Sequence, residues 1–180
     1  MRLLGMSLLV WFVMCSVAES SFAQGKGKPI LDQFNFESHD SSINGGSNFG
    51  WQQGVTAGVS GQLVRVDLYV TIDPSKGETA ATEVSVSLGP PWQSGLPVWS
   101  VTVVPKAGWN SFHLTNAKIF VEAGDEFVIG IHGTTPLNFN PGFVISYGDQ
   151  YPGGDLYLDG SLNSEVNDIW FRTYVKPNKK

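Results

Sequence analysis

The chain contains one cysteine, Cys15, and that residue sits inside an apolar leader. The rest of the protein therefore has no disulfide and no thiol chemistry. Charge is scarce too. The 11 basic residues are outnumbered by 16 acidic ones, for a net charge of −5. That balance argues against nucleic acid as a partner, which wants a clustered basic face. No apolar run follows Val17 that reads as a spanning helix, which takes about 20 such residues. No long stretch keeps a 3.6-residue period with caps, so no helix is expected. Glycosylation sequons are missing: Asn110-Ser111-Phe112 and Asn163-Ser164-Glu165 both fail the pattern. The histidines His39, His113 and His132 stand far apart, in no metal-ligand spacing. No serine occupies a Gly-x-Ser-x-Gly elbow; Gly58-Val59-Ser60-Gly61 misses it.

What is present begins at the N-terminus. Met1-Arg2 supplies a positive start, Leu3 to Val17 an apolar run, and Ala18 to Ala23 small residues. This is the layout of a secretory signal peptide. Ser21 and Ala23 fit a cut before Gln24, and Ser16 and Ala18 fit an earlier one. Cys15 follows Met14, where a lipoprotein anchor expects a small residue, so lipidation is not expected. The reading divides the chain into a signal peptide (1–23), a flexible lead-in (24–29), a β domain (30–175) and a basic tail (176–180). The protein is expected to be secreted, extracellular or periplasmic, with no membrane association after the cut. What remains is one domain in size, long enough to bury a core without staples.

From Ile30 onward the period is two. Val64, Val66, Leu68, Val70 and Ile72 share one face of a strand, and Arg65, Asp67, Tyr69 and Thr71 the other. Val84, Val86 and Leu88 alternate with serines; Trp99, Val101 and Val103 alternate with Ser100 and Thr102. Phe127, Ile129 and Ile131 form another apolar face, as do Ile169, Phe171, Thr173 and Val175. Turn clusters such as Gly89-Pro90-Pro91, Asn140-Pro141-Gly142 and Tyr151-Pro152-Gly153-Gly154 separate the runs. About ten short strands so divided predict an all-β antiparallel sandwich or barrel. The predicted core is Val66, Leu68, Val86, Val101, Phe127, Ile129, Ile131 and Phe171, with Trp99 and Trp109 also inside. Ser38 to Asn48 reads as a polar loop.

Several segments together resemble a known group: Gln53-Gly54-Val55-Thr56-Ala57-Gly58 with Gly61 to Tyr69, Gly108-Trp109-Asn110-Ser111-Phe112, Val121 to Ile129, and Tyr151-Pro152-Gly153-Gly154-Asp155 with Phe171 to Val175. Their order resembles the extracellular jelly-roll modules of secreted bacterial proteins, the choice-of-anchor or PEP-type anchored group. The resemblance implies a jelly-roll sandwich and, by analogy of fold alone, a binding or matrix role. The end Lys176-Pro177-Asn178-Lys179-Lys180 lacks an anchor helix, which favours a free secreted protein.

Three sets of residues carry candidate chemistry. Asp149, Asp155 and Asp159 crowd into Gly148 to Gly160, a predicted hairpin. Jelly-roll modules often hold structural calcium in such loops, and calcium takes carboxylate and carbonyl oxygens. The spacing also suits plain turn-forming aspartates. Asp125-Glu126 would suit glycoside hydrolysis only if paired across a cleft, and otherwise reads as a solvated turn. The third set is Tyr69, His132, Trp170, Arg172 and Tyr174, each one residue out of phase with its strand's core positions. If those strands are neighbours, one sheet face carries rings among charged groups, a surface that stacks on sugars and forks onto hydroxyls. The competing reading is that loops cover this face. The expected function is thus a non-enzymatic module binding a glycan or other extracellular polymer, with a polysaccharide hydrolase and a structural matrix subunit as alternatives.

Overall fold

The computed structural model describes residues 27–178 except 48–49, 74, 76–79, 92, 137–139 and 164–166. The leader with Cys15, its cleavage sites, Trp92, Lys179 and Lys180 lie outside the described residues. The strands are β1 (Ile30–Asn35), β2 (Ser41–Ile43), β3 (Gly50–Thr56), β4 (Gly61–Thr71), β5 (Thr82–Leu88), β6 (Trp99–Val103), β7 (Gly108–His113), β8 (Ile119–Val121), β9 (Glu126–Gly133), β10 (Gly142–Tyr147), β11 (Leu156–Leu158), β12 (Ser161–Leu162), β13 (Asn167–Ile169) and β14 (Phe171–Pro177). One 3-10 turn spans Thr115–Ala117. Among the described residues no helix is long and apolar enough to cross a membrane.

The strands form two antiparallel sheets packed face to face, a single β-sandwich. The six-stranded sheet runs β12-β11-β3-β9-β5-β6. The eight-stranded sheet runs β1-β14-β4-β10-β13, with β2 on β10 and with β7 and β8 on β4. Period-two alternation drives the packing. Val66, Leu68, Phe143 and Phe171 from one sheet meet Val84, Val86, Phe127, Ile129 and Ile131 from the other, all fully buried. Val101 and Trp99 are only half-buried, because β6 is the edge of its sheet. Leu88, at a strand end, is exposed. The predicted loop 38–48 contains β2, which adds to the β10 edge, and β14 extends through Lys176 and Pro177 of the predicted tail.

Two irregularities in the eight-stranded sheet set the stage for function. The first is a bulge: Tyr174 pairs with Arg65, but Val175 pairs with Leu63. Two residues of β4 oppose one step of β14, and the side-chain parity flips. Leu63 therefore enters the core cluster, while Val64, expected on that face, is buried outside the cluster. The second is a fork at Trp170. Before it, β13 pairs with β10; after it, β14 pairs with β4. Trp170 N donates to Val144 O at 2.8 Å, and its own carbonyl accepts from Tyr69 N at 3.2 Å.

A buried polar tie joins the sheets near this fork. Gln53 of β3 and Asp168 of β13 are 0% and 1% exposed, so their polar atoms must find partners inside. Gln53 Nε2 donates to Asp168 Oδ1 at 3.0 Å, and Ile169 N donates to Gln53 Oε1 at 3.0 Å. Asp168 Oδ2 accepts from Gln150 N and Tyr151 N at 3.1 and 2.9 Å. Burial pushes the Asp168 carboxyl up to about 6, opposed by those hydrogen bonds and assisted by the nearby Asp149 charge.

Candidate functional site

The outer face of the eight-stranded sheet is built by the register of three strands. Tyr69 sits opposite Trp109, Asp67 opposite Ser111, and Arg65 opposite His113. Across the other edge of β4, Asp67 faces Arg172 and Arg65 faces Tyr174. Alternation sends all of these side chains outward while Val66, Leu68 and Phe112 point in. The predicted core position of Trp109 is thereby corrected: its pairing with Tyr69 fixes it on the outside.

Trp109 and Trp170 are nearly parallel, with an 18° interplanar angle and centroids 6.5 Å apart. Tyr69 stands edge-on to both at 5.3 Å. The Arg172 guanidinium lies 3.9 Å from the Trp109 centroid and 5.1 Å from that of Phe36. Such cation–π contacts hold the guanidinium plane while its edge donors stay available. Phe36 stacks on Phe34, and both are exposed. The segment from Phe36 to Asp40 borders the strip. Ser38 O accepts from Trp170 Nε1 at 2.9 Å, and Ser146 Oγ accepts from it at 3.0 Å. Asp40 accepts from Tyr147 N at 2.7 Å and from the Ser38 hydroxyl; these bonds, the Ser38 one first, hold its carboxyl below the usual carboxylate range. Trp170 is thus half-buried and tied along one edge, instead of standing free on an open face.

Of the five residues predicted to share a face, four do: Tyr69, Trp170, Arg172 and Tyr174. His132 does not. It belongs to β9 of the six-stranded sheet, between Gly50 and Glu83 on that sheet's outer surface. Parity along a strand states which residues share that strand's face, not which sheet the strand joins. Trp109, Phe34 and Phe36 are the members that sequence reasoning missed; the Tyr69 pairing would have revealed Trp109, but it is a long-range fact.

The three candidate calcium ligands form no shared group among the described residues. Asp159 occupies the β11–β12 turn with Gly160, at φ of 50° and 78°, the left-handed pair of an Asp-Gly hairpin. Its Oδ1 accepts from Gly50 N at 2.8 Å. Asp155 O accepts from Gly54 N at 2.9 Å, and Asp149 is exposed. Among the described residues no group of three His, Cys, Asp or Glu side chains could hold a metal ion.

A groove of about 720 Å³ runs between β1, the turn after β3 and the loop from Gln150 to Gly153. Glu37 is the one carboxylate among its lining residues. Tyr151 forms its wall; burial raises its phenol to about 12, and its hydroxyl is held by the Thr56 backbone.

Fold and site together define an all-β sandwich with a ring-and-guanidinium surface on one outer face. No protein-family model matches the chain, and no curated protein matches it.

Proposed function

We propose that this protein is an exported, non-enzymatic module that binds a glycan or another extracellular polymer on the outer face of its eight-stranded sheet. The observation that carries this reading is the Trp109–Tyr69–Trp170 strip with Arg172 beside it. Aromatic faces stack on the apolar faces of sugar rings, and guanidinium edges donate to hydroxyls. Glycoside hydrolysis takes two carboxylates, and Glu37 is the one carboxylate among the residues lining the 720 Å³ groove. Export rests on the N-terminal layout of charge, apolar run and small residues, and the resemblance to secreted jelly-roll modules agrees with it.

One observation favours a second reading, assembly through a sheet edge. Edge strand β1 exposes Ile30, Leu31 and Phe34. Its register shift between Leu31 and Phe34, however, interrupts the ladder that a partner strand would extend.

A glycan-array screen of the chain starting at Gln24, with and without calcium, tests the binding role. Binding that disappears in Trp109→Ala, with the sheet signal in circular dichroism intact, supports it. An array with no ligand, or one on which Trp109→Ala binds equally well, contradicts it.

A further inference from the structure

Arg65, His113, Arg172 and Lys176 gather on the same face in a protein that is acidic overall. The β4 bulge turns Val64 and Arg65 outward together, and a pocket of about 330 Å³ opens there. Val64 and Tyr174 supply apolar wall, and Arg65, His113 and Lys176 supply polar heads. No carboxylate is among the lining residues. The Arg65 guanidinium lies 3.5 Å from the Tyr174 centroid, which fixes its plane. Its Nε meets Asp67 Oδ1 at 3.2 Å, a charge contact and not an aligned hydrogen bond. Among the described residues no hydrogen bond takes its Nη donors, which can fork onto an oxyanion. Among the described residues neither Lys176 nor Arg172 has a carboxylate partner.

The pocket and the aromatic strip are continuous. Arg65 lies four residues from Tyr69 along β4, about 13 Å by strand rise, and Arg172 stands between them. That span is too long for one sugar ring and fits a chain. Desolvating Arg65 and Lys176 against uncharged hydroxyls costs free energy that only a charged acceptor returns.

We infer that the polymer bound by this face is an acidic polysaccharide, its rings on the Trp109–Trp170 strip and a carboxylate or sulfate group in the Arg65–His113–Lys176 pocket. This rests on the glycan reading above and narrows its ligand class. Nucleic acid fits less well, because Arg65, Arg172 and Lys176 are too few to make a basic stripe on a protein of net charge −5.

Affinity electrophoresis of the chain starting at Gln24, in gels containing polygalacturonate, dextran sulfate or uncharged dextran, decides the matter. Retardation is expected in at least one acidic polymer and not in dextran, and it weakens with added salt. Lys176→Glu should weaken it about tenfold, the value of one charge-assisted contact. Trp109→Ala should abolish it. If neutral glycans bind on the array while acidic polymers gain nothing and Lys176→Glu is silent, the inference is overturned and the glycan reading stands. Should single-stranded DNA retard the protein as strongly and independently of Trp109, the pocket is a general polyanion site and the inference fails. If neither gels nor array show binding, both readings fall together.

Discussion

The outward positions of β4, β7 and β14 carry Arg65, Tyr69, Trp109, Arg172 and Tyr174. The outward positions of β3, β5 and β9 carry Gln52, Glu83, Ser85, Gly130 and His132. Both sheets contribute to one core, and both obey the same alternation. These five residues of the six-stranded sheet are small or hydrophilic, as a solvated surface requires, while Val128 on the same side of β9 is buried. The five of the eight-stranded sheet are large rings layered with guanidinium groups, partly fenced by the segment from Phe36 to Asp40. A fold needs only the first kind of face. The second kind is surplus to folding, and that surplus locates the proposed function.

Experiments can break this contrast at several depths. Phe127→Ala removes a fully buried ring that both sheets share, so it should cost about 3–5 kcal/mol and lower the urea midpoint. Loss of binding in that variant would report unfolding, not the site.

Asp168→Asn attacks the tie between the sheets. The amide nitrogen cannot accept from Gln150 N or Tyr151 N, so about 1–3 kcal/mol should be lost near pH 7. Asp168 also makes stability depend on pH. Its folded value, about 6, lies above the ordinary solvated value of 3.8, so the folded chain binds the proton more tightly. The contribution is full below about pH 4 and is lost as pH rises through about 6. Urea titrations between those limits should show wild-type stability falling with rising pH, and the slope should flatten in Asp168→Asn.

Arg172→Ala strips the cation from Trp109 and Phe36. Calorimetry should register about 0.5–2 kcal/mol of lost stability, with binding on the array reduced. His132→Ala, on the plain face, should change stability by less than about 0.5 kcal/mol in the same assay.

Much of the sandwich was legible in the sequence because alternation reports each strand's buried side directly. Val66, Val86, Phe127, Ile129 and Phe171 follow from that rule alone. The errors come from facts that alternation does not contain. The bulge opposite Tyr174 exchanged Val64 for Leu63. The assignment of β9 to the opposite sheet removed His132 from the candidate face. The antiparallel partner of Tyr69 turned Trp109 outward. The Gln53–Asp168 tie spans 115 positions and left no local trace. The candidate face was therefore half legible: parity supplied Tyr69, Trp170, Arg172 and Tyr174, while strand pairing supplied Trp109 and Phe34 and packing on Trp109 and Arg172 supplied Phe36.

The most direct measurement places wild type, Trp109→Ala and His132→Ala side by side on one glycan array, with circular dichroism confirming that each is folded. The account predicts that wild type and His132→Ala bind the same glycans and that Trp109→Ala binds none. Equal binding by all three, or loss in His132→Ala alone, would contradict it.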